Sequence, residues 1–143
     1  TFYVKSHSLN EMISKTLYAA GESDTRYTLN SLLFHIKPIS KNSSIFTIVG
    51  TDGHRLSMVK KEFSFSIDED IKLIVPKKSA NELKRFLDSE EETVHISFSI
   101  NHISVVIGKV NFLIRLLEGS YPDYEQVIPN KNEKKIVIYR EEF

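Results

Sequence analysis

The chain has 143 residues, of which 41% are hydrophobic, a length and an apolar content that suit one domain with a buried core. Its 19 lysines and arginines balance 19 aspartates and glutamates, so the formal net charge of +0 excludes nucleic-acid binding through an overall positive charge. The sequence has no cysteine, which excludes disulfides and thiol nucleophiles, and no apolar run approaches the roughly 20 residues that cross a bilayer. We therefore expect a protein of the cytoplasm.

The first half of the chain predicts a strand, a helix and three further strands. Residues 1–7 alternate between apolar and polar side chains, as a half-buried strand does. Ser8 is expected to cap the helix, because Glu11 follows at the spacing of a capping box, and Gly21 is expected to end it. The three strands are predicted at residues 28–38, 44–51 and 55–63, with turns at 41–43 and 52–53.

The second half repeats this order of elements. Residues 71–75 form an apolar strand that a proline ends, and residues 77–87 predict a helix with Ala80, Leu83 and Leu87 on one face. Three more strands are predicted at residues 93–100, 103–107 and 110–117. Because both halves follow the order strand, helix, strand, strand, strand, we expect two similar units that share their sheets and helices within one domain.

The end of the chain differs in pattern from both halves. Residues 120–133 contain a proline turn and a polar run, which is typical of a linker. Residues 136–138, Ile-Val-Ile, predict the beginning of a strand that has no partner left in the chain. We therefore expect a segment of a longer protein, with a further domain beyond it. The acidic residues 90–92 are interpreted as a solvated loop.

A six-residue stretch between two predicted strands, residues 51–56, has the sequence Thr-Asp-Gly-His-Arg-Leu. Its Asp-Gly pair is a strong hairpin signal, because glycine accepts the positive φ of a tight turn. Asp52 and His54 could also form the centre of a hydrolase or a metal-dependent enzyme, since a carboxylate beside an imidazole can orient a general base. We favour the structural interpretation, because no nucleophile or third ligand stands near them in the sequence.

Positive side chains follow the predicted second helix in two pairs, each pair seven residues apart, and so form one band beside its apolar face. These residues are Lys77, Lys78, Lys84 and Arg85. Composition alone favours a solvated helix face, with Glu82 and Asp88 as partners of opposite charge. The alternative is a band that faces phosphates and attracts DNA without reading its bases.

Four motifs occur in order along the chain. They are RYTLN at residues 26–30, TDGHRL at 51–56, IVPKK at 74–78 and RLLEGSYPDY at 115–124. In this order and at these intervals they resemble the central domain of the bacterial sliding clamp, the β subunit of DNA polymerase III. The resemblance covers almost the whole chain, and residues from 136 onward are similar to the start of the third domain of that family.

The resemblance implies an α+β DNA-clamp (processivity) fold, with two pseudo-repeated β-α-β-β-β units whose two helices pack against antiparallel sheets. It divides the chain into a clamp central domain at residues 1–119, an interdomain linker at 120–133 and the truncated start of the third domain at 134–143. In the family, three such domains form a protomer, and two protomers close head to tail into a homodimeric ring around duplex DNA.

The function that the resemblance implies is that of a processivity factor in DNA replication, with no turnover of its own. Such a ring tethers the DNA polymerase III catalytic subunit, the clamp loader and repair polymerases through a short peptide, and the family implies no cofactor, metal or membrane. Its helices line the hole. By resemblance, the positive band of the second helix is therefore expected to face the DNA phosphates without sequence preference.

The partner peptide of the family docks its hydrophobic residues in a cleft between the second and third domains. Matching motif to motif, the resemblance assigns the cleft here to Arg26, Leu29, Thr51, Gly53, His54, Arg55, Leu56, Pro122, Gln126 and Val127. Gln126 departs from the family pattern, in which an arginine is familiar at this position. The charge of that edge, and with it the preference for acidic peptide residues, stays open.

Overall fold

A computed structural model describes residues 1–23, 25–87, 92–129 and 132–143. The first half contains β1 (Phe2–Lys5), α1 (Ser6–Leu17), a 3-10 turn (Tyr27–Leu29), β2 (Ser31–Ser40), β3 (Ser43–Thr51) and β4 (Leu56–Phe63). The second half contains β5 (Ile71–Pro76), α2 (Lys77–Lys84), β6 (Thr93–Phe98), β7 (His102–Ile107) and β8 (Val110–Arg115), and α3 (Tyr124–Val127) follows. The predicted order of elements in both halves is confirmed.

Two antiparallel sheets of four strands interlock the halves. Sheet 1 has the order β1-β6-β7-β8, and sheet 2 has the order β4-β3-β2-β5. The first strand of each half crosses to the sheet of the other half: Phe2 of β1 pairs with Ile96 of β6, and Pro76 of β5 pairs with Ser31 of β2. The predicted sharing of sheets is therefore confirmed, since neither sheet is complete without a strand from each half.

The main core lies between the helices and the inner faces of the two sheets. Met12 and Ile13 of α1 and Leu83 of α2 are buried there, and each such side chain stabilises the fold by about 1.5–3 kcal/mol. The two helices lie against one another, and Asn10 Nδ2 donates to the carbonyl oxygen of Leu87 at 3.0 Å. The helices therefore form one layer, as the clamp resemblance implied.

The outer face of sheet 2 carries a second, smaller apolar cluster. Because successive strand residues point to opposite faces, Leu33, Val49 and Ile74 face away from the main core. Tyr124 of α3 packs on them and is itself buried. The described residues 120–129 of the predicted linker therefore cover one face of sheet 2, which positions them for the site below. The division into a domain and a linker stays a prediction.

The predicted start of α1 is wrong. The helix begins at Ser6, and Lys5 precedes it without a side-chain cap, so Ser8 does not act as the cap of a capping box. The cause is a tertiary contact. The N–H of the buried Ser6 donates to the carbonyl oxygen of Glu92 at 2.8 Å, so β1 ends at Lys5 and the helix begins at the next residue. A long-range hydrogen bond therefore overrides the local capping signal.

Other predicted boundaries also shift. α1 ends at Leu17 rather than at Gly21. The N–H of Gly21 bonds to the carbonyl oxygen of Leu29, the last residue of a 3-10 turn, and this turn delays β2 to Ser31. Residues 136–138 are exposed and form no strand within the described chain, because no described strand pairs with them. Asp88, residues 90–91 and residues 130–131, which also entered the predictions, lie outside the described residues.

Candidate binding cleft

Four residues, 52–55, connect β3 to β4, because Thr51 pairs with Leu56. The two-residue turn predicted at Asp52 and Gly53 is therefore too short. Gly53 has a φ of 88°, a left-handed conformation that favours glycine, as the sequence predicted. The longer loop is held by Asp52, whose Oδ1 accepts the backbone N–H groups two and three residues later, each at 3.0 Å.

The carboxylate of Asp52 is engaged by its own loop. The backbone N–H groups of His54 and Arg55 lower its pKa to about 2, and Arg55 Nε adds a contact to Oδ2 at 3.1 Å. Both oxygens of the carboxylate therefore stabilise the loop, which agrees with the structural interpretation. Among the described residues, no group of three or more histidines and carboxylates could hold a metal ion.

Two arginines hold this loop against neighbouring elements. Arg26 Nη2 donates to the carbonyl oxygen of Asp52 at 3.4 Å, and the guanidinium lies beneath Gly53. The guanidinium of Arg55 lies over the ring of Tyr18, at 5.7 Å from its centroid, beyond the end of α1. The loop is therefore placed by side chains as well as by the hairpin, and both arginines present positive charge beside it.

The segment at residues 121–128 faces this loop. Asp123 caps α3 and accepts the N–H of Glu125 at 3.2 Å, and Gln126 Nε2 donates to the second carboxylate oxygen of Asp123 at 2.8 Å. The hydroxyl of Tyr121 donates to the carbonyl oxygen of Val49 at 3.3 Å, and burial raises the pKa of Tyr121 to about 12. Both tyrosines of the segment, Tyr121 and Tyr124, thus bind it to the outer face of sheet 2.

A cleft of about 350 Å³ lies between the loop and this segment. It is lined by Arg26, Leu29, Thr51, Gly53, His54, Arg55, Leu56, Pro122, Asp123, Tyr124 and Val127. Every cleft residue named from the sequence is brought together here except Gln126, which is exposed and bonded to Asp123 outside the lining.

The cleft has an apolar floor and a polar rim, on which Arg26 and Arg55 are positive and Asp123 is negative. Leu29 is buried at its base and Leu56 is partly buried, whereas Arg26, His54 and Arg55 are exposed around it. Val127 completes the opposite wall with 67% of its surface exposed. An arrangement of this kind suits a ligand that inserts apolar side chains and leaves polar or acidic groups at the edge.

A second concave surface lies between the two helices. Lys77, Lys78 and Lys84 line this groove of about 640 Å³. Lys77 Nζ is already bonded to the carbonyl oxygen of Ala20 at 2.9 Å and to Glu22 at 3.2 Å, whereas Lys78 is exposed. The fourth predicted residue, Arg85, is exposed and approaches Glu82 at 3.4 Å, as the solvated-face interpretation predicted.

The sequence model of one protein family, described as the central domain of the DNA polymerase III β subunit, matches residues 3–123. The chain belongs to this family. The family that the four motifs predicted is therefore confirmed. The curated relatives include the β sliding clamp of Pseudomonas aeruginosa, which is 32% identical over a match that covers 99% of this chain and 37% of the relative. The β sliding clamp of Staphylococcus aureus is 35% identical over a match that covers 94% of this chain and 34% of the relative.

Solved structures of clamp proteins show the same fold. The DNA polymerase III β subunit of Pseudomonas aeruginosa has a TM-score of 0.84 at 32% identity, over 91% of this chain and 34% of its own. The sliding clamp of Bacillus subtilis has a TM-score of 0.81 at 28% identity, over 90% and 33%. The predicted α+β clamp fold is thereby confirmed. The chain spans about a third of the length of these clamp proteins.

The family assignment decides between the two interpretations of residues 51–56. The relatives are named sliding clamps, and the Asp52 carboxylate serves the loop, so the hydrolase or metal-enzyme interpretation is set aside. Sequence reasoning missed two cleft residues, Asp123 and Tyr124. The available signal was Asp123 itself, a preferred N-cap residue directly before a short helical turn.

No helix in the described part of the chain is long and apolar enough to cross a membrane.

Proposed function

We propose that the chain is the middle domain of a sliding clamp, a ring that encircles duplex DNA, has no catalytic turnover and tethers its partners through the cleft. The main support is that nine of the ten cleft residues expected from the family line one concave surface with an apolar floor. The full-length protein is a cytoplasmic, head-to-tail homodimer. Its partners are the DNA polymerase III catalytic subunit, the clamp loader and repair polymerases, each of which binds by a short peptide.

The chemistry of the cleft explains how such a peptide binds. Leu29, Leu56 and Val127 supply apolar contact for aliphatic or aromatic anchors, which release ordered water when they enter. Arg55 and His54 stand at the rim, where they donate hydrogen bonds and steer acidic peptide residues. Tethering then raises the local concentration of the polymerase at DNA without a strong new contact to the DNA itself.

Replacing Leu56 with alanine in the full-length protein is expected to weaken peptide binding by about 1–3 kcal/mol, the usual range for an interface anchor. The probe is a synthetic peptide with the clamp-binding segment of the DNA polymerase III catalytic subunit from the same organism, measured by calorimetry. Met58→Ala is the matched control, because Met58 lies on the same strand but lines a different groove. Unchanged affinity in the Leu56 variant would show that the peptide does not bind in this cleft.

Griselimycin is the proposed second probe of this cleft. It is bound in a solved structure of the Pseudomonas aeruginosa sliding clamp, whose fold matches this chain with a TM-score of 0.84. We propose that it occupies the cleft of this chain, so the Leu56 variant should bind it more weakly and the peptide should compete with it.

The proposed DNA surface is the groove between the helices together with exposed Arg85, the residue after Lys84. Exposed Lys78 and Arg85 contact phosphates and hold the duplex within the ring. Lys84 contributes to the same surface, as does Lys77, whose ammonium is already bonded to the carbonyl oxygen of Ala20. These contacts are weak and independent of sequence, because long residence on DNA comes from the closed ring. The isolated chain should therefore bind DNA poorly.

Removing both exposed cations, as Lys78→Ala with Arg85→Ala in the full-length protein, should lower its affinity for primed duplex DNA and reduce the salt slope by about two. Fluorescence anisotropy across a salt series measures both quantities. Lys60→Ala is the control, because Lys60 is also an exposed cation but lies on the outer face of sheet 2. A salt slope equal to that of the unmodified protein would show that the groove does not face DNA.

A further inference from the structure

A buried histidine connects sheet 2 to the wall of the cleft. His35 lies in β2, is 2% exposed and shares the outer face of the sheet with Leu33, Val49 and Ile74. Its Nε2 lies 2.6 Å from Asp70 Oδ1, and its Nδ1 lies 2.8 Å from the hydroxyl of Tyr124. The two rings also meet edge to face, with centroids 5.8 Å apart.

The chemistry of the three groups determines the direction of these hydrogen bonds. An ionised carboxylate can only accept, so His35 Nε2 carries the hydrogen that points to Asp70. In the neutral imidazole, Nδ1 is then an acceptor, and it receives the hydroxyl hydrogen of Tyr124. Burial raises the pKa of Tyr124 to about 12, with Glu125 and Asp70 adding to the shift, so the hydroxyl remains a donor at neutral pH.

Tyr124 belongs to both the buried network and the cleft. It lines the cleft together with Pro122 and Val127, which lie two residues before it and three residues after it. α3 has four residues, too few to be stable without tertiary contacts, so its position depends on what its buried side chain contacts. Pro122 and Val127 are therefore placed relative to Leu56 by way of Tyr124.

We propose that His35, oriented by Asp70, is a positioning residue for the cleft: its hydrogen bond to Tyr124 sets the distance between the α3 wall and the β3–β4 loop, and thereby the affinity for the partner peptide. This inference rests on the proposed function of the cleft. It adds a determinant that lies outside the cleft lining and that the motifs do not include.

The network makes peptide binding depend on pH. The charged and titratable groups around His35 are Asp70 before β5, Lys37 on β2, Lys72 on β5, and Tyr124 and Glu125 on α3. Burial lowers the pKa of His35 below its ordinary value of 6.5, opposed by the hydrogen bond to Asp70. Protonation turns Nδ1 into a donor, and the hydroxyl hydrogen of Tyr124 then turns away from it, toward the Thr47 hydroxyl or toward Glu125 Oε1 at 3.5 Å.

The sign of this dependence follows from the lowered pKa. The neutral imidazole favours the docked α3, so its contribution is complete above the ordinary pKa of 6.5 and is lost as the pH falls through the lower pKa of the folded state. The affinity for the peptide should therefore decrease as the pH falls below 6.5 in the unmodified protein.

Three variants of the full-length protein test the inference with the polymerase peptide described above. Tyr124→Phe removes one hydroxyl, and His35→Leu removes both hydrogen bonds of the imidazole. Each variant should lower the affinity for the peptide by about 3- to 10-fold at pH 7.5, which is the effect of one hydrogen bond. The double variant should lose no more affinity than the weaker-binding single variant, because both changes remove the same hydrogen bond. His35→Asn places an amide oxygen near the position of Nδ1, so it should retain most of the affinity and abolish its pH dependence.

Each outcome either supports or overturns the inference. Wild-type affinity in Tyr124→Phe, additive losses in the double variant, or an unchanged pH profile in His35→Asn would overturn it. Leu56→Ala separates this failure from failure of the proposed function: if it weakens the peptide while Tyr124→Phe does not, the cleft stands and the positioning role is wrong. Tyr124→Phe keeps its ring in the apolar cluster, and a thermal melt equal to that of the unmodified protein confirms that any loss of binding is local.

Discussion

Replacing Gly50 with alanine is expected to destabilise the protein by about 3 kcal/mol, at the upper end of the usual cost of overpacking. A Cβ at this position would overlap the carbonyl oxygen of Thr16 and stand 3.0 Å from Leu32 Cδ2. This carbonyl group is part of the backbone of α1, and the hydroxyl of Thr16 donates to the carbonyl oxygen of Met12 in the same helix at 2.8 Å. The Thr16 carbonyl therefore cannot move without displacing the helix. Urea denaturation should show a lower midpoint with an unchanged slope.

Gly108→Ala is the matched control for this variant. A Cβ at Gly108 meets the end of the flexible Glu92 side chain, which can rotate away, so the main cost is the φ of 54°, about 1 kcal/mol. Equal midpoints for the two variants would show that α1 and β3 do not approach closely at Gly50. Thr51, the residue after Gly50, lines the cleft. The Gly50 variant should therefore also bind the peptide more weakly, by more than the loss of folded protein accounts for.

Strand and helix order could be predicted from the sequence because the apolar pattern reflects which faces are buried. The alternation along β7, for example, matches its burial, since one face meets the main core and the other meets solvent. Boundaries depend on contacts that no local pattern contains. Ser6 begins α1 because its N–H reaches Glu92, and the β3–β4 loop has four residues because Asp52 accepts two backbone N–H groups.

The candidate cleft was predictable through its motifs, whereas the network behind it was not. His35 and Tyr124 are 89 residues apart in the sequence, and neither gives a signal of the other. One clue was present: β2 has an almost continuous apolar run from Leu32 to Ile36 that His35 interrupts, which indicates a strand buried on both faces. The sequence does not show what covers the second face, because the pattern of residues 120–133 predicts a linker and gives no sign that Tyr121 and Tyr124 pack on the sheet.

Lys77 shows how a side chain can fit two interpretations at once. Helical spacing placed it in a positive band with Lys78 and Lys84, and the structure brings these three to one groove. Its ammonium, however, is held by the carbonyl oxygen of Ala20 and the carboxylate of Glu22. Lys77 therefore joins α2 to the segment that follows α1, and Lys78 is the more available contact for a phosphate in the same groove.

Introducing a charge at Val127, as Val127→Asp, is expected to reduce peptide affinity by about 100-fold while leaving the fold intact. Val127 is 67% exposed, so the aspartate remains solvated in the free protein and the free energy of unfolding should change little. In the complex, however, the same carboxylate would be covered by an apolar anchor seated on Leu29 and Leu56. Loss of its hydration without a partner costs about 3 kcal/mol, which corresponds to the expected change in affinity.

Ile39→Asp is the control for Val127→Asp. It makes the same kind of change, a branched apolar residue to aspartate, at a position that is 51% exposed at the opposite end of β2 from the cleft. Calorimetry with the polymerase peptide and with griselimycin should show a large loss for Val127→Asp and none for Ile39→Asp. Equal affinity in both variants would mean that the ligand does not contact α3, and since that wall is what His35 and Tyr124 position, the positioning role would be wrong as well.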